Sequence, residues 1–421
     1  MDIELGYGRG ALSFAYDEAR FRVLDSETRA SRPLTDAEIG EAFDAPVGSP
    51  PLGDVVSAGE SVLVVVSDAT RASASGQIVN LLVRRLIEAG VSPGDIRVIF
   101  ATGIHRAVTE EEKRELLTPF ITQRIRTLDH DAYDAGVMIR LGEETPQGAP
   151  AEVNRALREH DRVVLTGGIN FHYFAGFTGG RKSVCPGLAS ARTIRATHML
   201  AMDFERGGRR EGVGTGLLEG NAVHEECERI ANEVAPSFLV NAVTDERGRA
   251  ERVYAGHWRE AHHRGCAEYL AEHSVKIDER RAVVVAGCGG WPWDINLIQA
   301  HKSLEMAAHA CREGGDIVLV AECADGLGRA DFLKWFDAAG SVALEARLRE
   351  GYEVNGQTAW SLLVKAEKYR VQLVSRLADE EVLRMGMTPA RNLDEALARV
   401  GQNAEGYIMP RAQALLPVVA G

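Results

Sequence analysis

SVLVVVSDATR (61–71), GQIVNLLVRRLIEAG (76–90) and DIRVIFATGIHR (95–106) follow one another near the start of the chain. The first and last stretches begin with short runs of Val, Ile and Leu, which are typical of strands buried on both faces of a sheet. The stretch between them carries apolar residues at helical spacing. Strands that alternate with helices in this way predict a parallel sheet covered by helices on both faces.

The alternation extends over the rest of the chain. Short strands are predicted in residues 1–25, a helix in 109–117 and a strand in 161–168, and SFLVNAVTDERGRAERVYAGH (237–257) predicts a hairpin that turns at Asp245–Gly248. A second series begins near residue 280, with strands in 281–287, 316–323, 369–377 and 414–419 and a helix in 296–315 that ends in glycine. The sequence therefore predicts an α/β chain of two α/β domains with mostly parallel sheets.

The boundary between these domains is predicted in the polar stretch AEHSVKIDERR (271–281). We expect an amino-terminal domain over 1–273 and a carboxyl-terminal domain over 274–421, which suits a length of 421 residues. Ligands bind open α/β sheets at the carboxyl ends of the strands, so two such edges predict an active-site cleft between the domains.

Composition excludes several classes of partner. Apolar residues make up 45% and charged residues 26%, and the formal net charge is -13. The acidic balance argues against nucleic acid or an anionic membrane, but a small anionic ligand needs only a local basic pocket. There is no apolar run long enough to span a bilayer, and the amino terminus MDIELGYGRG lacks the pattern of a signal peptide. With six cysteines and no C-x-x-C pair, these features predict a cytoplasmic protein with free thiols.

The densest group of unusual residues is NFHYFAGFTGGRKSVCPGLASARTIRATH (170–198). Its glycines permit close backbone approach to a ligand, and its aromatic residues indicate burial rather than a flexible surface loop. Lys182 lies in the middle of the segment in a chain whose basic residues are mostly arginine, and lysine can act as a nucleophile. A P-loop is disfavoured because Arg181 occupies its second glycine position. GCGGWP (287–292) is likewise a weak match to a dinucleotide fingerprint.

Three histidines and several polar residues follow predicted strands. His105, His172 and His198 could form a three-histidine zinc site, or one could bind a metal while the other two act as acid and base. Arg71 after the first strand is suited to a carboxylate or a phosphate. Gln299 and Lys302 share one face of a predicted helix. From residues alone, a zinc hydrolase and a noncatalytic phosphate-binding module both remain open.

Taken together, the segments resemble the nickel-pincer-nucleotide lactate racemases and their 2-hydroxyacid racemase and epimerase relatives. The resemblance rests on motifs that occur in order: SDATR (67–71), ATGIHR (101–106), HYFAGFTGGRKSVCPG (172–187), His198, and the W-P-x-D-x-x-x-x-Q-A-x-K pattern (291–302). One departure is Ile298, where the lactate enzyme carries a tyrosine, so a larger 2-hydroxy acid stays an alternative substrate.

The resemblance implies an isomerase with a nickel-pincer nucleotide, which is a nicotinic-acid-derived mononucleotide with two sulfur-bearing arms and nickel. Lys182 would attach it through a thioamide and His198 would bind the nickel. The implied cofactor-binding residues also include Asp68, Gly179, Gly180 and Ser183. The implied substrate-binding residues are Arg71, Gln299, Lys302 and Trp360.

His105 and His172 would be the acid/base pair of this reaction. The resemblance implies that hydride moves reversibly to the cofactor and that a small 2-hydroxy acid, lactate first, passes through a planar 2-oxo acid. A racemase acts on both enantiomers and so needs a base on each side of the substrate. The cofactor would come from separate cofactor-synthesis proteins.

Overall fold

The computed structural model describes residues 1–25, 32–69, 71–401 and 403–420. Within these residues the strands, numbered in chain order, are β1 Asp2–Tyr7, β2 Gly10–Ala15, β3 Phe21–Val23, β4 Val62–Ser67, β5 Ile96–Ala101, β6 Arg126–Leu128, β7 Met138–Glu144, β8 Pro150–Asn154, β9 Arg162–Gly168, β10 Phe171–His172, β11 Gly176–Phe177, β12 Phe238–Thr244, β13 Ala250–Gly256, β14 Ser274–Ile277, β15 Arg281–Gly287, β16 Cys311–Val320, β17 Arg370–Val374, β18 Thr388–Ala390, β19 Gly406–Met409 and β20 Leu416–Val419.

The helices connect these strands and pack on them. In the same described residues they are α1 Asp36–Asp44, α2 Leu52–Val55, α3 Ser75–Glu88, α4 Glu110–Leu116, α5 Pro119–Arg124, α6 Ala156–Glu159, α7 Ala191–Met199, α8 Ala222–Val234, α9 Glu260–His273, α10 Leu297–Ala310, α11 Ser341–Glu350, α12 Val354–Lys368, α13 Asp379–Arg384 and α14 Leu393–Ala398. A short 3-10 turn, Gly180–Ser183, lies between β11 and α7.

The first of two compact units comprises residues Ala30–Met202 and Arg209–Tyr269. Its six-stranded sheet has the order β13-β12-β9-β4-β5-β6, in which only the pairing of β12 with β13 is antiparallel. Central strand β4 is buried on both faces: Leu63 and Val65 pack into one hydrophobic layer, and Val62 and Val64 pack into the other. The continuous apolar run of β4 therefore reflects helices on both sides of the sheet.

The second unit comprises Met1–Arg29, Asp203–Gly208 and Leu270–Gly421. Its six-stranded sheet is parallel throughout and has the order β18-β17-β16-β15-β19-β3. The amino-terminal strand β3 belongs to this sheet because it pairs with β19. The division into domains 1–273 and 274–421 stays a proposal, and in these units the first strands of the chain join the residues after Leu270.

The sequence and the structure agree on fold class: the chain is α/β with mostly parallel sheets. The predicted hairpin at Asp245–Gly248 is present, with the amide of Gly248 donating to the carbonyl of Asp245 at 3.0 Å.

One helix is shorter than predicted. Helix α10 ends at Ala310, and the residues from Cys311 onward join β16 through an irregular register opposite Arg281.

Two further sequence expectations concern the cysteines and the membrane. All six cysteines are buried free thiols. Within the described residues, none of the helices combines the length and the hydropathy that a bilayer span requires.

Candidate active site

The turn that carries Lys182 is held against the edge of the first unit's sheet. Gly179 has φ +77°, and a Cβ atom there would lie 2.7 Å from Oδ1 of Asn241, so only glycine fits. The amide of Gly180 donates to the same oxygen at 2.9 Å. The Ser183 hydroxyl donates to the carbonyl of Thr166 on β9 at 3.0 Å. The glycines and Ser183 therefore fix the turn to two neighbouring strands.

Arg181 supports this turn from inside the protein. Its side chain is buried, and its guanidinium donates to the carbonyl of Ala175 at 2.6 Å and lies 3.2 Å from Nε2 of His262. In the sequence, Arg181 stands out as the residue that interrupts a P-loop pattern. The structure gives it a packing role, since a buried guanidinium needs such acceptors.

Burial changes the chemistry of the neighbouring Lys182. Burial, together with the nearby cations Arg71 and Arg181, holds the pKa of the Lys182 amine well below its usual range. A lowered pKa increases the fraction of the amine that is neutral, and the neutral amine is the nucleophilic form. Among the described residues, no hydrogen bond or ion pair of this amine is found.

Three of the candidate residues lie around the ring of Phe174. Its centroid lies 4.5 Å from the ring of His172, 5.0 Å from that of His198 and 5.6 Å from Nζ of Lys182. His172 also stacks on Tyr173, with ring centroids 5.4 Å apart. The residues come from the β10 hairpin, the 3-10 turn and α7, so the backbone of segment 170–198 folds around this ring.

His198 lies in the last turn of α7 and is buried. Burial lowers its pKa to about 3, and Lys182 and His105 contribute to the same shift. The imidazole is therefore neutral at pH 7, which is the form that binds metal ions. The loop after β5 lies against the loop that precedes α7, since the amide of Gly103 donates to the carbonyl of Gly187 at 2.8 Å.

His105 and Asp68 form a close pair at the ends of two adjacent strands. Strands β4 and β5 are parallel neighbours, so the residues that follow them meet at one edge of the sheet. Nδ1 of His105 lies 2.7 Å from Oδ2 of Asp68; the carboxylate is buried and the imidazole is exposed. A carboxylate acceptor at Nδ1 places the proton of a neutral imidazole on that atom and leaves Nε2 as the base.

Arg71 lies in the loop after β4 and is exposed. Its amide donates to the carbonyl of Asp68 at 3.2 Å. It lines a cavity of about 320 Å³ at the start of α3 together with Glu115 and Arg249. Arg249 is paired with Asp245 at 2.7 Å, so the lining of this cavity has mixed charge.

The remaining candidates belong to the second unit. Gln299 and Lys302 lie one turn apart on α10, and Nζ of Lys302 donates to Oε1 of Gln299 at 2.7 Å. Trp360 is buried on α12, and its Nε1 has no hydrogen-bond partner among the described residues. A buried ion pair of Lys365 on α12 with Glu305 on α10 joins these two helices. The helical pattern of the sequence does not reveal that pair.

The three loop histidines do not form one ligand set. Within the described part of the chain, the donor atoms of His105, His172 and His198 do not all lie within 4.8 Å of one another. The geometry instead couples His105 to Asp68 and brings His172 and His198 to Phe174. Sequence reasoning missed the pairing of Asp68 with His105 and the central position of Phe174, because neither follows from spacing along the chain.

Comparison with known proteins identifies the family. Residues 7–208 match the Lactate racemase N-terminal domain, and residues 277–410 match the Lactate racemase C-terminal domain. A lactate racemase from Lactiplantibacillus plantarum is 30% identical over 97% of this chain and 97% of its own. Another, from Thermoanaerobacterium thermosaccharolyticum, is 29% identical over 94% of this chain and 93% of its own.

The fold agrees with these matches. The lactate racemase apoprotein structure from Thermoanaerobacterium thermosaccharolyticum superposes with a TM-score of 0.89 and 27% identity, covering 99% of this chain and 100% of that one. A Thermotoga maritima protein shares the fold at a TM-score of 0.69 and 18% identity, covering 92% of this chain and 99% of that one. Because the family domains span most of the sequence, the chain belongs to the lactate racemase family and is an isomerase, a racemase.

Proposed function

We propose that this racemase interconverts the enantiomers of a small 2-hydroxy acid through a planar 2-oxo acid. Lactate is the substrate that we propose for it. The observation that carries the proposal is the grouping of Lys182, His172 and His198 around Phe174. A nucleophilic amine, a metal ligand and a proton-transfer group at one aromatic ring suit a covalently attached metal cofactor better than a hydrolytic zinc site. The named relatives, both lactate racemases, support the same substrate class.

The residues present fit a nickel-pincer nucleotide. The depressed pKa of Lys182 suits attachment through its amine, and the neutral imidazole of His198 suits a nickel ligand. The turn at Gly179 and Gly180 would hold the attachment point. When bound, the cofactor would supply a reversible acceptor for the hydride on C2 of the substrate. Cofactor-synthesis proteins would be its source, and we place the reaction in the cytoplasm.

The chain's own residues would move the proton of the substrate hydroxyl. One of His105 and His172 accepts that proton from one enantiomer, and the other returns a proton to the oxygen on the opposite side. Asp68 keeps His105 in the tautomer with Nε2 available. Arg71, Gln299 and Lys302 would bind the carboxylate and the C2 oxygen, and Trp360 would shape the pocket.

Replacing Asp68 with asparagine is expected to lower kcat by about 10- to 100-fold with little change in KM. The amide can present either an oxygen or an NH2 group to Nδ1, so it no longer fixes the His105 tautomer, and it cannot stabilise the imidazolium. Unchanged kcat in Asp68→Asn would contradict this positioning role.

The substrate is expected to carry one carboxylate. A second carboxylate would need a further cation. Arg106, in the loop after β5, pairs with Glu112 at 2.7 Å, and Arg181 is buried in its turn. Enantiomer interconversion by the loaded enzyme should be fastest with lactate, slower with 2-hydroxybutyrate, and lowest with phenyllactate, malate and gluconate. An additional methylene costs only about 10- to 200-fold, so 2-hydroxybutyrate should stay measurable.

Chiral chromatography of each reaction measures this series. Faster turnover of malate than of lactate would contradict the single carboxylate, and faster turnover of gluconate would contradict the small substrate. Either result would leave the racemase assignment in place.

A further inference from the structure

Behind the Lys182 turn, a second group of histidine and carboxylate side chains joins helices α8 and α9. His224 and Glu228 are four residues apart on α8 and share one face of that helix. His263 comes from α9. One donor atom from each of these three residues lies within 4.8 Å of the other two. None of them has a part in the proposed racemase chemistry.

The distances at this group suit a small cation. Nε2 of His224 lies 3.6 Å from Oε1 of Glu228, which is beyond hydrogen-bond range. Two ligands at the usual zinc bond lengths in a tetrahedral arrangement lie about 3.4 Å apart. Nε2 of His263 lies 2.8 Å from the same oxygen, and this half-exposed side chain could withdraw to make room.

The hydrogen bonding of His224 provides a second, independent observation. Its side chain is buried at 3% exposure, and its Nδ1 has no hydrogen-bond partner among the described residues. Its Nε2 faces the carboxylate without bonding to it. A buried polar atom without a partner loses the hydration it had in the unfolded chain. The ring is therefore not held in place by a hydrogen bond at Nδ1, and a cation between Nε2 and the carboxylate would bond the nitrogen that now faces Oε1 at 3.6 Å.

Two nearby cations, Arg259 and the buried Arg181, limit the affinity. Nε of Arg259 lies 3.4 Å from Oε2 of Glu228, so it approaches one carboxylate oxygen while the histidines face the other. Arg259 can orient the carboxylate as an outer partner of a metal site. Its charge opposes a divalent ion, so we expect weaker binding than at a site of thiolate ligands.

We propose that His224, Glu228 and His263 form a zinc site that links α8 to α9, separate from the cofactor. Two imidazoles and one carboxylate are a common ligand set for Zn²⁺, with a fourth position left for water. Helix α8 packs against the Gly180–Ser183 turn, so the ion would stabilise the layer that supports Lys182. The inference does not depend on the proposed reaction.

The test uses the full chain produced without cofactor-synthesis proteins and freed of metal by a chelator. After titration with zinc sulfate and gel filtration, elemental analysis should find one equivalent of zinc. His263→Ala and Glu228→Gln should each weaken zinc binding by ~10-fold or more. Half-exposed His257, which precedes α9, provides the matched control, and His257→Ala should bind zinc like the original chain.

Two further readouts keep the outcome decisive. Zinc should raise the melting temperature of the original chain but not that of His263→Ala, and melting curves also report whether each variant folds. His198→Ala should retain the zinc, because its histidine belongs to the other group. No stoichiometric zinc in the original chain, equal binding by His263→Ala, or loss of zinc in His198→Ala would each overturn the proposal.

Discussion

Replacing His105 or His172 with alanine is expected to slow racemisation by ~10²–10⁴-fold in both directions. Each histidine would act as base for one enantiomer and as acid for the other, so losing either one blocks the complete cycle. His105 has Asp68 at Nδ1, and His172 stacks on Tyr173, so both rings are oriented before substrate binds. Truncation removes the proton carrier and leaves the backbone of the site in place.

Nickel content distinguishes these two histidines from His198. In protein co-produced with the cofactor-synthesis machinery, His105→Ala and His172→Ala should keep nickel, whereas His198→Ala should lose it. Elemental analysis and chiral chromatography measure the two properties on the same samples. The half-exposed His257 again serves as control, and His257→Ala should match the original chain in both. Loss of nickel from His105→Ala with retention in His198→Ala would reverse our division of roles.

Replacing Lys182 with alanine is expected to abolish covalent cofactor loading and leave the fold intact. The turn is held by Arg181, Asn241 and Ser183, whereas no hydrogen bond of the Lys182 amine is found among the described residues. Burial of the amine is unfavourable to its charged form, so the substitution should not lower the melting temperature. Activity should fall to background because the cofactor is no longer retained.

Intact mass of the co-produced protein measures the loading directly. The original chain should carry the added mass of one mononucleotide, and Lys182→Ala should carry none. Lys302→Ala is the matched control, because it removes a lysine assigned to the substrate and should load normally while racemising poorly. An unchanged added mass in Lys182→Ala would exclude this lysine as the attachment point.

Local patterns sufficed for the strands and turns. The apolar run 62–66 predicts β4, and the turn residues at Asp245–Gly248 predict the hairpin, because burial on both faces and turn chemistry depend on neighbours along the chain. The end of α10 could not be predicted from local patterns. The sequence predicts a helix over 296–315 that ends in glycine, but the residues from Cys311 onward pair with β15, and sheet pairing outweighs the local helical tendency.

The sequence by itself determined which residue types are available for chemistry: Lys182 among glycines, histidines after strands, and Arg71 beside Asp68. Only the tertiary structure decided how they combine. It joined Asp68 to His105 across β4 and β5, and it placed Arg181 inside the protein as a support for its turn. These relations join side chains whose separation in space depends on strand order and packing, and a one-dimensional pattern carries no information about either.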